Sequence, residues 1–253
     1  MRYMLSIAAL LLSACTGLRA RAYGGIQQTT LQGGVALDNS AGSLSLGANR
    51  ADIDADLGLD DREYSPYVRA EIGLPIGSAT VSGFRFNQTG AGTLTGGQFG
   101  DIPAGTQVTS FMKFTNVKVA AHYDLFDIGV LRLSPGVGVD FIDFDLQVTE
   151  LGTSNYERVD NRVYVPMLFA QAEANLGILA ATLDVGYMQA SLNNAKGSYL
   201  DVEALIRVSP SPFVEIFAGY RLIELDARGV ADDRRYDADL TLHGWVLGGG
   251  VTF

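Results

Sequence analysis

The feature that most restricts how this chain can fold is alternation at period two. Residues 199–208 read Tyr-Leu-Asp-Val-Glu-Ala-Leu-Ile-Arg-Val. Leu200, Val202, Ala204, Ile206 and Val208 fall on one face, and Asp201, Glu203 and Arg207 fall on the other with Leu205. The same pattern runs through 67–74, 181–189 and 213–223. Successive side chains of a strand point to opposite faces, so this pattern predicts strands. No segment after the N-terminus approaches the ~20 apolar residues of a membrane-spanning helix. The mean hydropathy is nevertheless +0.16, so apolar residues must be distributed along strands. About ten strands are predicted, with eight to twelve possible, near 42–57, 64–75, 79–88, 108–124, 130–149, 160–176, 179–191, 198–209, 213–227 and 237–253.

A soluble sandwich would share the alternation. Here, however, the polar face is charged along its length, while the apolar face runs for about five alternate positions. That suits a lipid-facing band ~25 Å tall around a polar lumen. Connection lengths also alternate. Short turns are predicted at 75–78, 125–129, 176–178 and 209–212, and longer polar connections at 89–107, 150–159, 192–197 and 228–236. The connection around 58–63 is compact but falls on the long side. An even strand number with short turns on one rim is the pattern of a barrel with both termini at that rim.

The last strand carries the closest likeness to a known family. In Trp245-Val246-Leu247-Gly248-Gly249-Gly250-Val251-Thr252-Phe253, Trp245, Leu247, Val251 and Phe253 share one face, and Gly248, Gly250 and Thr252 share the other. A terminal aromatic on an alternating strand resembles the assembly signal of bacterial outer-membrane β-barrels. At the level of pattern the resemblance extends over 42–253, to the small-barrel (OmpA-like) proteins. It implies an all-β, antiparallel up-and-down transmembrane β-barrel, recognised by the barrel-assembly machinery through Phe253 and surrounded by outer-membrane lipid and lipopolysaccharide. The inner-face glycines suggest a filled barrel or a close-packed closing seam.

The N-terminus carries an export signal. One basic residue, Arg2, precedes the short apolar run Leu5–Ser13, followed by Leu12-Ser13-Ala14-Cys15. This resembles the lipobox of bacterial lipoproteins and implies cleavage before Cys15 and acylation of its thiol, with Thr16 next to it favouring the outer membrane. Ala20-Arg21-Ala22 offers a second cleavage pattern, after Ala22. The expected organisation is a signal peptide at 1–14, a lipidated, glycine-containing tether at 15–41 and a barrel at 42–253. Cys15 is the single cysteine, so no internal disulfide forms.

The formal charge of −10, with 18 basic against 28 acidic residues, argues against a nucleic-acid partner. A monomer without a cofactor is expected. Arg69, Glu71, Lys118, Arg132, Asp140, Glu173, Asp184, Asp201, Glu203, Arg207, Glu215 and Arg221 all fall on predicted inner faces. Turned toward lipid, an arginine at the bilayer midplane would cost ~2–4 kcal/mol. Inside, mixed signs can pair and plug the lumen, or line a narrow charged pore. The acidic run from Asp52 places oxygen side chains at Asp52, Asp54, Asp56, Asp60 and Glu63, which are ligand positions of a twelve-residue calcium loop. Leu57 stands where that loop requires glycine. The alternative is a strand with Asp52, Asp54 and Asp56 inward and Ile53, Ala55 and Leu57 toward lipid, with a bulge near 49–51. Only two histidines, His122 and His243, are present, and neither completes a catalytic triad. Three functions follow from this reading: a barrel with a structural, narrow-channel or surface-binding role; a barrel enzyme acting on envelope lipid or peptide; or an exported lipocalin-like carrier. The last would reverse the faces, with an apolar interior and a polar exterior.

Overall fold

The computed structural model describes residues 19–59, 62–74, 76–192, 195–231 and 233–253. Its strands are β1 (Arg19–Leu37), β2 (Ala51–Asp52), β3 (Glu63–Leu74), β4 (Gly77–Thr93), β5 (Gln107–Tyr123), β6 (Phe126–Asp127), β7 (Leu131–Glu150), β8 (Tyr156–Asn175), β9 (Leu179–Leu192), β10 (Ala195–Ser211), β11 (Val214–Ala231) and β12 (Arg234–Thr252). Two of these are short appendages: β2 pairs with β1 and β6 with β7. The other ten form an antiparallel, up-and-down sheet that β12 closes onto β1. This is the predicted ten-stranded barrel.

The first strand is not the predicted one. Residues 19–37, expected as a tether, form β1 between β12 and β3. Alternation is faint there because the outward positions are Ala20, Ala22 and Gly24 before Ile26, too small to mark an apolar face. Residues 42–57, expected as a strand, form a loop instead. A tight turn at its end links Asp56 N–H to Asp52 C=O at 3.1 Å and Gly58 N–H to Asp54 C=O at 2.9 Å. Ile53 and Leu57 point into the barrel and are fully buried, so neither faces lipid. No bulge is needed to restore their parity.

The strands also run further than predicted. The connections at 192–197 and 228–236 are mostly strand, since β9 and β11 reach Leu192 and Ala231 while β10 and β12 begin at Ala195 and Arg234. At that rim the long connections are 38–62 and 94–106, and the described Ile53, Leu57, Leu59, Leu94, Phe99 and Ile102 of these pack inward. At the other rim lie the short turns and the C-terminus. Its last residue is tied to β1 by Phe253 N–H to Ala20 C=O at 2.8 Å.

Most strands run 17–20 residues, about twice the 9–11 needed to cross a bilayer. The surplus coincides with an inversion of polarity. From the turn end, β7 points Leu131, Leu133, Val137, Val139 and Phe141 outward; beyond Phe141 the outward residues are Asp143, Asp145 and Gln147, while Ile142, Phe144, Leu146 and Val148 point inward. Other strands change in the same way. β11 passes from Ile216, Ala218 and Tyr220 to Glu224 and Asp226, and β12 from Leu247 and Trp245 to Thr241 and Asp239. Exposed Tyr64, Tyr164, Tyr187, Tyr220 and Trp245 mark the change, and Tyr123, Phe126, Phe213 and Phe253 ring the turn end. An apolar wall between two aromatic belts is the membrane-facing surface of a barrel. Above it stands a second half with a water-soluble pattern.

Candidate functional site: the filled lumen and the opening in its wall

The interior has two layers. In the turn-end half, the face of β10 holds the answer to which side is inside. Asp201 and Glu203 are 0% exposed, whereas Ile206 on the opposite parity is 57% exposed. All the predicted lumen charges point inward. Eleven are buried, and Arg132 is partly open at the turn-end mouth.

These charges form a connected network. Arg69 donates to Asp184 at 2.7 Å and to Glu203 at 2.8 Å. Arg221 grips Asp201 through Nε at 3.0 Å and Nη2 at 2.8 Å, and Nη2 also donates to Asn116 Oδ1 at 2.8 Å. Lys118 Nζ lies 2.9 Å from Asp201. Asn116 donates onward to Asp140 at 2.6 Å. Nearer the turns, Glu173 lies between Arg207 at 3.0 Å and Arg132 at 2.5 Å. Arg21 sits 3.4 Å from Glu71 and 3.6 Å from Glu173. Buried charges are tolerated when they are paired and hydrogen-bonded; here most face an opposite charge, and Asp140 is held instead by Asn116 and Tyr199. The tyrosines complete it: Tyr67 donates to Glu203, Tyr199 to Asp140 and Tyr23 to Glu215.

Sequence reasoning missed Asn116, Tyr67 and Tyr199, although each shares its parity with a neighbouring charge and that parity was the available signal. It missed Arg21 and Tyr23 because β1 was read as a tether.

The loop-end half is apolar inside. Phe84 and Phe86 flank Phe114 at ring-centroid distances of 5.9 and 5.8 Å. Loop residues Leu57, Leu59, Leu94, Phe99 and Ile102 complete this core, each fully buried. The turn at 53–59 can lie against β4 because β4 presents Gly90 and Gly92 there; a Cβ on either would sit within 2.2 Å of a loop carbonyl oxygen. Rim charges hold the loops down. Arg235 donates to Asp38 at 2.7 Å and to the carbonyls of Gly42 and Leu44. Arg234 bonds Glu157 at 2.5 Å, and Glu157 accepts the N–H of Asp101 at 2.9 Å.

The acidic run makes no cation site among the described residues; Asp60 lies outside them. Asp52 accepts the N–H groups of Asp54 and Ala55, both at 2.9 Å. Asp56 accepts Thr95 Oγ1 at 2.6 Å and the N–H groups of Thr95 at 2.7 Å and Asp52 at 3.0 Å. Burial alone would raise the Asp56 pKa; the donors from Thr95, Asp52 and Gly96 outweigh it and hold the carboxyl below the usual aspartate range. The Asp52 and Asp56 oxygens thus serve loop backbone and the Thr95 hydroxyl. Glu63 is at the start of β3. Cys15 lies outside the described residues. His122 is buried at the turn end, 3.4 Å from Thr80 Oγ1, and His243 faces outward, 2.8 Å from Tyr220 OH.

Among the described residues, two seams of the wall are incomplete. The β3–β4 ladder stops at Tyr67↔Phe84, and there the turn at 53–59 lies against β4. The second is between β8 and β9. β8 and β9 pair only from Leu168↔Tyr187 to Asn175↔Ala180. Beyond that, Met188–Leu192 keep their partners on β10, and Tyr156–Met167 keep theirs on β7, but the two edges do not pair with each other. Pro166 stands at the point where the ladder stops. Proline has no N–H to donate and belongs on sheet edges. Lumen-parity residues are exposed beside this opening: Val163 is 38% accessible. Behind it lies an apolar cavity of about 200 Å³, lined by residues including Ile142, Phe144, Val165, Met188 and Leu240.

No family model matches the chain, and no curated protein sequence matches it. Among solved structures, the chain is similar to the outer membrane protease OmpT from Escherichia coli, with a TM-score of 0.56 at 8% identity over 93% of this chain and 96% of that one. Ail, the attachment invasion locus protein of Yersinia pestis, matches at 0.37 and 11% identity, covering 93% of this chain and 98% of its own. The outer membrane protein AlkL matches at 0.38 and 15% identity, covering 93% and 90%. At such identities the likeness to OmpT shows a shared fold, that of a bacterial outer-membrane β-barrel.

Proposed function

We propose that this protein is an outer-membrane barrel that does not conduct, and that its role is to hold a rigid, water-facing half-barrel at the cell surface. The observation that carries this reading is the filling of the lumen along the barrel axis, the apolar cavity beside the β8–β9 opening aside. A paired charge network occupies the membrane half, and an apolar core capped by residues of two loops occupies the other. A pore needs a water path, and neither layer supplies one. The role is then structural or surface-binding, with lipopolysaccharide and membrane lipid as surroundings and the terminal strand with Phe253 as the element read during assembly. Planar-bilayer recording of the refolded protein tests it. No steady conductance is expected; reproducible single-channel steps would overturn the reading in favour of a charged pore.

An anchor at Cys15 fits this placement. Arg19 opens β1 only four positions later, at the rim shared with Phe253, so an acyl chain there would enter the leaflet next to the turn end. Cleavage after Ala22 would instead remove Arg21 and its contacts to Glu71 and Glu173. Labelled palmitate should enter the wild type and not Cys15→Ser; equal labelling of both would remove the anchor from the proposal.

A further inference from the structure

The opening between β8 and β9 leads somewhere. Five β9 residues, Met188–Leu192, face an unpaired β8 edge, a window ~16 Å long at the strand rise of about 3.3 Å per residue. It begins at Tyr187 and Pro166, level with the upper aromatic belt, where the hydrocarbon of a bilayer gives way to headgroups.

On the outer wall below it runs a groove lined by Val119, Val137, Phe141, Leu168 and Tyr187, within the lipid-facing band. Met188 lines both that groove and the interior cavity. The apolar surface is therefore continuous from the lipid side, past Met188, to Phe144, Val165 and Leu240 inside.

The cavity's chemistry selects its occupant. Its walls are mostly aliphatic and aromatic, with Lys196, Ser198, Asp226 and Arg228 on the part of the lining shared with the pocket at the outer side. One polar pair there, Asn161 Nδ2 donating to Tyr236 OH at 2.9 Å, satisfies itself. A sugar or peptide group would lose its water without replacement, at a cost of the order of 1–3 kcal/mol per unpaired group, whereas a hydrocarbon chain loses nothing. Strand addition by a peptide is disfavoured at this edge because Pro166 lacks a donor. At the window's outer side stand Gln189, Ser191, Lys196, Asp226 and Arg228, a mixed-charge set suited to a zwitterionic or polar headgroup.

We infer that the loop-end half of the barrel binds one acyl chain of an outer-leaflet lipid, which enters sideways through the β8–β9 window and leaves its headgroup outside. This site is separate from any path along the barrel axis, so it stands whether or not the barrel conducts.

The test uses the full chain refolded into phosphatidylcholine vesicles doped with a phospholipid carrying a diazirine near the end of its tail. After photolysis, cross-links are mapped by mass spectrometry. The expected result is labelling of inward Val165 and Leu240 in addition to outward Leu168 and Tyr187. Labelling confined to the outward residues overturns the inference. A parallel arm adds diazirine-bearing palmitate from water to undoped vesicles; interior labelling by this free acid alone overturns the lipid source.

Ala190→Trp narrows the window at an accessible lumen-parity position. It should abolish interior labelling and leave outward labelling and heat-modifiable gel migration unchanged. Interior labelling that persists in the folded variant rules out entry through this window. If the indole prevents folding, Ala190→Leu carries the same expectations.

Discussion

Replacing Arg69 by methionine asks whether the membrane half of the lumen is sealed or wet. Arg69 Nη1 serves two carboxylates, Asp184 at 2.7 Å and Glu203 at 2.8 Å, with Glu71 at 3.8 Å from Nη2. Both nearer carboxylates are 0% exposed. Methionine fills similar volume without charge and leaves these groups facing each other. Glu203 keeps Tyr67 as a donor and Lys118 Nζ at 3.8 Å; Asp184 keeps Gln171 at 2.9 Å. Removing one partner from a buried pair costs about 3–5 kcal/mol. The same pair in a water-filled channel would be worth ~0–1 kcal/mol. The two pictures thus differ several-fold. Urea unfolding in detergent micelles reads the difference through Trp245, the single tryptophan, which sits on the lipid-facing wall. We expect Arg69→Met to lose about 3–5 kcal/mol and the double change Arg69→Met with Glu203→Gln to regain part of it. A loss below ~1 kcal/mol, with no coupling between the two sites, would refute the reasoning and mean that water reaches these carboxylates.

The closing seam gives a sharper contrast. A Cβ on Gly248 would meet Gly24 O at 2.3 Å, but on Gly249 its nearest neighbour is 3.4 Å away. Gly248→Ala should lower the folded, heat-modifiable fraction, at a strain of ~1–3 kcal/mol, while Gly249→Ala folds normally on the same gel. Phe114→Ala removes the middle ring of the outer-half stack and should cost about 3–5 kcal/mol in urea unfolding. Asp56→Ala should free the 53–59 turn, at ~1.5–3 kcal/mol for hydrogen bonds to a charged group, read as protease cleavage within 38–62. The Asp56 carboxyl is held below its ordinary value near 3.9. Its contribution is therefore complete above pH ~4 and is lost as pH falls through the lower folded value. The protease sensitivity of wild type should accordingly approach that of the variant only under acid below that point.

Much of the barrel was legible because its code is local. Parity along 199–208 or 213–223 assigns each side chain to one of two faces without reference to anything distant, and an arginine or aspartate face cannot be lipid-facing at midplane. The inward set from Arg69 to Arg221 followed from that alone. The misreadings arose where the local code is silent. Alanine and glycine at 20, 22 and 24 give a strand no apolar stripe, so β1 passed for a linker. The alternating Asp52, Asp54 and Asp56 mimic a strand, yet Asp52 and Asp56 accept backbone donors two to forty residues away and wind the segment into a turn.

By itself the sequence determined that this chain makes alternating strands, that one face of each carries charge, and that Phe253 shares a face with Trp245, Leu247 and Val251. It also held the polarity inversion, visible in β7 as Phe141 gives way to Ile142. What it could not decide is where that inversion sits relative to a membrane. Parity fixes which residues share a face, but inside and outside exist only once β12 has closed onto β1. The tertiary structure alone set the level of the aromatic belts, folded residues 51–59 and 94–102 into the outer half, and left β8 and β9 unpaired above Leu168. Pairing across that seam depends on the register and length of two strands that meet through a distant closure, and no single strand carries that information.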